Sequence, residues 1–134
     1  MEALLRLAIL FIVGVLLFAA SIPVQAFVLR IVAKIAAGFA PGYKNMMVIT
    51  LMTWVFSFLT WVTVISFCRA FNINMLFSIY LSTALAACIP PLTFGRMIKP
   101  TPKDPPIGIW RGAAMFIIYM TILTASFYAA KLIV

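Results

Sequence analysis

The sequence predicts an all-α fold: a polytopic integral membrane protein whose four transmembrane helices form an antiparallel bundle with short loops. Three observations carry this reading. Of the 134 residues, 66% are hydrophobic and 9% are charged, against roughly 45–50% and about 25% in a soluble domain. Mean hydropathy is +1.23, too high for a folded surface that must stay wet. Four apolar windows are bounded by basic residues, and each is long enough to cross about 30 Å of hydrocarbon at about 1.5 Å per helical residue. Irregular backbone cannot face lipid, where its N–H and C=O groups find no partner, so each window is expected to be a helix. The same composition excludes a soluble enzyme, a disordered tail, a collagen-like rod and a disulfide-rich miniprotein.

The first predicted helix covers 7–29, uncharged between Arg6 and Arg30. Segment 30–45 (RIVAKIAAGFAPGYKN) continues it toward the interface, with Arg30 and Lys34 one turn apart, until Gly38 breaks it before a turn at Pro41–Gly42. Residues 1–26 share features with a secretory signal peptide: an apolar run, Ser21 and Pro23, then Val24-Gln25-Ala26. Against cleavage, Glu2 offsets Arg6, and export would carry Arg30, Lys34 and Lys44 outward. The expectation is an uncleaved helix kinked at Pro23.

The second helix covers 46–68 and stops at Arg69. Thr50, Thr53, Ser57, Thr60 and Thr63 recur at helical spacing and form one hydroxyl stripe beside Trp54, Phe58 and Trp61. It reads either as a polar path or as packing, with each hydroxyl bonded to its own i−4 carbonyl. Packing is favoured, because no charge or amide joins the stripe.

A tight hairpin, 69–72, makes the third helix, 73–95, an antiparallel neighbour of the second. Ser78, Ser82 and Ala86 form a small-residue face on it. Pro90-Pro91 frees carbonyls near Ala86 and Ala87, which predicts a kink or an early helix end. Segment 96–108 (RMIKPTPKDPPIG) holds four prolines and reads as an extended loop. The fourth helix covers 109–134, with Trp110 and Arg111 as interfacial anchors and a second small-residue face at Thr121, Ala125 and Ala129. In lipid, apolar side chains gain little by leaving one apolar medium for another, so close approach along small residues is what holds helices together.

Net charge is +8. Arg30, Lys34, Lys44, Arg96, Lys99, Lys103 and Arg111 fall on one side of the four spans, and Arg6, Arg69 and Lys131 on the other. Seven against three places the longer connections in the cytoplasm and both termini outside, in a bacterial inner membrane or its equivalent. The seven cations are expected to meet anionic lipid headgroups or an acidic partner. Nucleic acid is not expected, since the basic residues are spread over loops.

The missing chemistry is informative. There is no His, and the only acids are Glu2 and Asp104, on opposite faces. General acid–base catalysis, metal ligation and ion coupling lose their usual groups. Cys68 and Cys88 are separated by most of a helix, roughly 22 Å from Ile73 to Cys88, which excludes an intrachain bridge. No catalytic residue, cofactor or metal is expected. The expected function is a non-catalytic membrane subunit or assembly factor of a larger complex, partnered by lipids and by other membrane proteins or copies of itself. Two alternatives stand beside it: a small self-associating channel or transporter, and a lipid-interacting membrane protein.

Overall fold

The computed structural model covers residues 1–134 and is entirely helical. Its elements are α1 Glu2–Ala37, α2 Tyr43–Ala70, α3 Met75–Ala87, α4 Ile89–Met97 and α5 Ile109–Ile133. Only Cys88 separates α3 from α4. Four helices are therefore long and apolar enough to cross a membrane: Glu2–Ala37, Tyr43–Ala70, Met75–Met97 and Ile109–Ile133.

Local chemistry explains where each helix stops. α1 runs through Pro23 and ends at Gly38, whose φ of 81° is the left-handed cap a glycine tolerates, with its N–H bonded to Lys34 O. The α2–α3 connection turns on Asn72, the one non-glycine residue at positive φ (53°), a conformation that Asn tolerates better than most residues. The Asn74 side chain then caps α3 by accepting from Leu76 N at 2.9 Å. At Cys88 the backbone N–H reaches Leu85 O, a tighter three-residue spacing. Pro90 and Pro91 follow in the first turn of α4, where a missing N–H is harmless. The double proline is thus a restart signal, and the third span is two helices rather than one.

The chain turns from α4 to α5 through two backbone bonds, Ile107 N to Ile98 O (3.1 Å) and Gly108 N to Gly95 O (3.0 Å). These lay α5 directly on α4. A Cβ added to Gly112 would lie 2.5 Å from Gly95 N, and one added to Gly95 would lie 2.7 Å from Gly108 O. Backbone touches backbone here, and only glycine permits it.

The core holds Ala26, Leu29, Val32 and Ala33 of α1, Met46 and Ile49 of α2, Phe94 and Ile98 around the end of α4, and Met115 and Tyr119 of α5. All of it lies in the half of the bundle next to the 38–42 and 98–108 connections. α1 packs on α2 and α5, and α3 packs on α2 and α4. Away from this base α2 and α3 stay packed, burying Cys68, Ser78 and Ser82, while α1 and α5 part from them. Residues 1–20 are exposed throughout, as is α5 from Met120 onward. The molecule is a packed base carrying long, apolar, unpartnered arms.

Candidate functional site

The polar centre of the base is Gln25, the sole glutamine of the chain. Its Oε1 accepts from Trp54 Nε1 at 2.6 Å and from the Tyr119 hydroxyl at 3.1 Å. Its Nε2 donates to Ser21 Oγ at 3.0 Å, and that hydroxyl donates to Phe18 O at 2.7 Å. One amide therefore links α1, α2 and α5. The Phe18 ring meets the Trp54 ring edge-on, with centroids 5.9 Å apart, which steadies the indole for its bond. Nearby, the Tyr43 hydroxyl donates to Pro23 O at 3.0 Å and ties the start of α2 to α1.

A cavity of about 70 Å³ adjoins this hub, lined by Gln25, Thr50, Thr53, Ser57, Pro90 and Tyr119 among apolar neighbours. An engineered cavity of about 150 Å³ is known to take benzene, so this space is too small for a ring. No charged side chain lines it. Its chemistry is uncharged hydrogen bonding, suited to fixing helix rotation.

The hydroxyl stripe of α2 divides on this geometry. Thr50 Oγ1 donates to Met46 O (2.6 Å) and Thr53 Oγ1 to Ile49 O (2.7 Å), as packing hydroxyls do. Ser57 Oγ is buried without a partner. Thr60 lines a different space, a groove between α2 and α4, and Thr63 is exposed. An amide does lie beside the stripe, contrary to expectation, because it arrives from α1 through Trp54. The signal for it was one polar amide in an otherwise apolar span, which the likeness to a cleavage motif masked.

Of the small-residue faces, Ser78 and Ser82 are buried and Ala86 is partly buried. Ser82 Oγ bonds to Ser78 O at 2.6 Å and Ser78 Oγ to Asn74 O at 2.9 Å. Thr121, Ala125 and Ala129 are exposed, with no helix of this chain on them. α5 instead buries Gly112, Met115 and Tyr119. Sequence reasoning passed over Gly95 and Gly112, although the spacing Gly108-x-x-x-Gly112 signals close helix approach. Both cysteines are free; Cys68 is buried and Cys88, at the helix break, is exposed.

The seven basic residues gather at the base end. Lys34, Lys44, Arg96, Lys99, Lys103 and Arg111 are exposed, while Arg30 is half-buried with its Nε unpartnered. The one acid among them, Asp104, accepts from Thr101 Oγ1 at 2.7 Å. The chain matches no protein-family model, no curated protein and no solved structure.

Proposed function

We propose that the chain is a multi-pass membrane protein that serves as a non-catalytic subunit or assembly factor of a larger membrane protein complex. The observation that carries this is the contrast between base and arms. The base has glycine contacts, a hydrogen-bonded hub and buried side chains. The arms are long, apolar and unpacked within the chain. On one of them, Thr121, Ala125 and Ala129 offer the kind of small-residue surface along which helices approach closely in lipid. A base that holds its own shape and arms free along their length suit a protein that inserts between larger neighbours.

The charge distribution supports an orientation with the base, and its seven cations, at the cytoplasmic face of a bacterial inner membrane or its equivalent. The uncharged character of the Gln25 hub and its cavity supports a non-catalytic role. The test is purification from native membranes in a mild detergent, followed by native mass spectrometry and cross-linking from a residue placed at Ala125. Other membrane proteins in stoichiometric association are the expected result. A lone monomer that cross-links to nothing overturns the reading, and copies of itself alone favour a homo-oligomer instead.

A further inference from the structure

Two spaces away from the Gln25 hub share a wall. A cleft of about 330 Å³ opens at the base between 40–45 and 97–102, and its polar side chains are Asn45, Lys99 and Thr101. A groove of about 400 Å³ runs down the flank between α2 and α4, walled by Phe56, Ile89 and Leu92, with Arg96 at its base end. Met97 lines both, so the two adjoin across its side chain. From Ile89 to Arg96 the helical rise is about 10 Å. The Thr93 hydroxyl in that wall is already bonded to Ile89 O at 2.7 Å, which leaves Thr60 as the one free hydroxyl of a largely apolar wall.

No acid of the chain serves Arg96 or Lys99. Glu2 is at the far end of α1, and Asp104, whose carboxylate accepts from the cleft residue Thr101 at 2.7 Å, makes no ion pair with either cation. Along one path the chemistry therefore changes from two cations without an ion-pair partner, with Asn45 beside Lys99, to about 10 Å of largely apolar groove. A phosphate followed by an acyl chain has that order. Basic pockets between helices at a cytoplasmic face take acidic lipid headgroups for the same reason.

We propose that this flank binds one anionic phospholipid, its phosphate held between Lys99 of the cleft and Arg96 at the base end of the groove, and one acyl chain lying in the α2–α4 groove. The site requires the membrane placement proposed above but no protein partner. It differs from general attraction to a charged surface in needing both the cations and the groove.

The experiment titrates the purified full-length chain, in an uncharged detergent, with dioleoyl phosphatidylglycerol or dioleoyl phosphatidylcholine and counts retained lipids by native mass spectrometry. The expected result is one phosphatidylglycerol per chain, preferred over phosphatidylcholine by tenfold or more, since each basic residue near the phosphate contributes about fivefold. Arg96→Gln is expected to lower phosphatidylglycerol affinity about fivefold and to lower that of phosphatidylcholine, whose choline cation offsets its phosphate, by less. Lys34→Gln removes the same charge from the same face but outside the path, and is expected to change little. Leu92→Trp, which fills the groove and keeps both cations, is expected to lower retention, with helical content checked by circular dichroism. Equal retention of the two lipids overturns the proposal. So does equal weakening by Arg96→Gln and Lys34→Gln, which would mean diffuse attraction, and so does full competition by glycerol phosphate, which would mean a site for the headgroup alone. Successful reconstitution into phosphatidylcholine bilayers without this selectivity would overturn the lipid site and leave the membrane placement intact.

Discussion

Gly112 to Ala is the smallest change that tests how the base is held. A Cβ at Gly112 would lie 2.5 Å from Gly95 N and 2.9 Å from Gly95 Cα, and would press on Pro91 O as well. All three atoms are backbone, so no side chain can swing aside. To bring the Gly95 N contact alone to 3.4 Å, where ordinary contact begins, α4 and α5 must part by about 0.9 Å, and the closer Pro91 O asks for more. A radial gap of about 0.5–1 Å forfeits a quarter to a half of the dispersion attraction between facing atoms. In lipid, that attraction and hydrogen bonding are the main forces between helices. The bond from Gly108 N to Gly95 O lies in the same contact and is stretched with it. Overpacking of a tight site costs about 1–3 kcal/mol, and backbone-to-backbone contact puts this case in the upper part of that range. At about 2 kcal/mol the ratio of folded to unfolded protein falls about 30-fold. The assay is equilibrium unfolding in mixed micelles, followed by circular dichroism. Gly14, which has nothing within 4 Å, supplies the control: Gly14→Ala is expected to leave stability unchanged or to raise it by up to about 1 kcal/mol, the helix-propensity gain. If Gly112→Ala unfolds at the same denaturant concentration as the parent, or if Gly14→Ala is equally harmful, the proposed helix contact is wrong.

Further expectations concern the hub, the α2–α3 contact and the arms. Gln25→Leu keeps the side chain's bulk but removes the acceptor shared by Trp54 and Tyr119; at about 0.6 kcal/mol per interhelical bond the loss is about 1–1.5 kcal/mol. Tyr119→Phe is expected to lose about half of that, and the double variant less than the sum, as unfolding of the set in a double-mutant cycle would read. Ser82→Leu inserts a branched side chain into a fully buried contact and is expected to destabilise the isolated chain by about 1–3 kcal/mol. Ala125→Leu, at an exposed site, is expected to leave the isolated chain's unfolding unchanged and to reduce recovery of partners from native membranes.

The four long helices were legible because length and hydropathy speak directly to them. So was the disturbance at Pro90-Pro91: the sequence suggested a kink or an early helix end, and α3 ends at Ala87 with α4 restarting after Cys88. The faces that pack were much less legible. In a soluble protein the apolar stripe marks the buried side of a helix. Here nearly every face is apolar, so Thr121 and Ala125 looked as fit for packing as Ser78 and Ser82, and only the latter pair is buried within the chain. The glycine contact depended on which two helices meet, and that follows from the loop pairing of Ile107 with Ile98. The Gln25 hub needs residues up to 94 positions apart, beyond the reach of any local pattern.

A chain with only two acids and no His has few ways to specify how its helices rotate and how closely they approach. It uses a neutral amide for rotation and glycine for distance, and it places both at the base. Gln25 accepts from two helices at once, so turning α1 by even one residue would break both bonds. Gly95 and Gly112 set the spacing of α4 and α5 in a way no larger residue reproduces. With the base so constrained, the arms need not hold each other, and their faces stay available to whatever lies beside them in the bilayer. The proposed lipid site lies on the base flank and the proposed partner surface on the arms. The two are therefore expected to be separable: Arg96→Gln should alter lipid selectivity while partners are still recovered, and Ala125→Leu should do the reverse. A chain in which either substitution abolished both would have its arms and base acting as one surface, contrary to the division drawn from its packing.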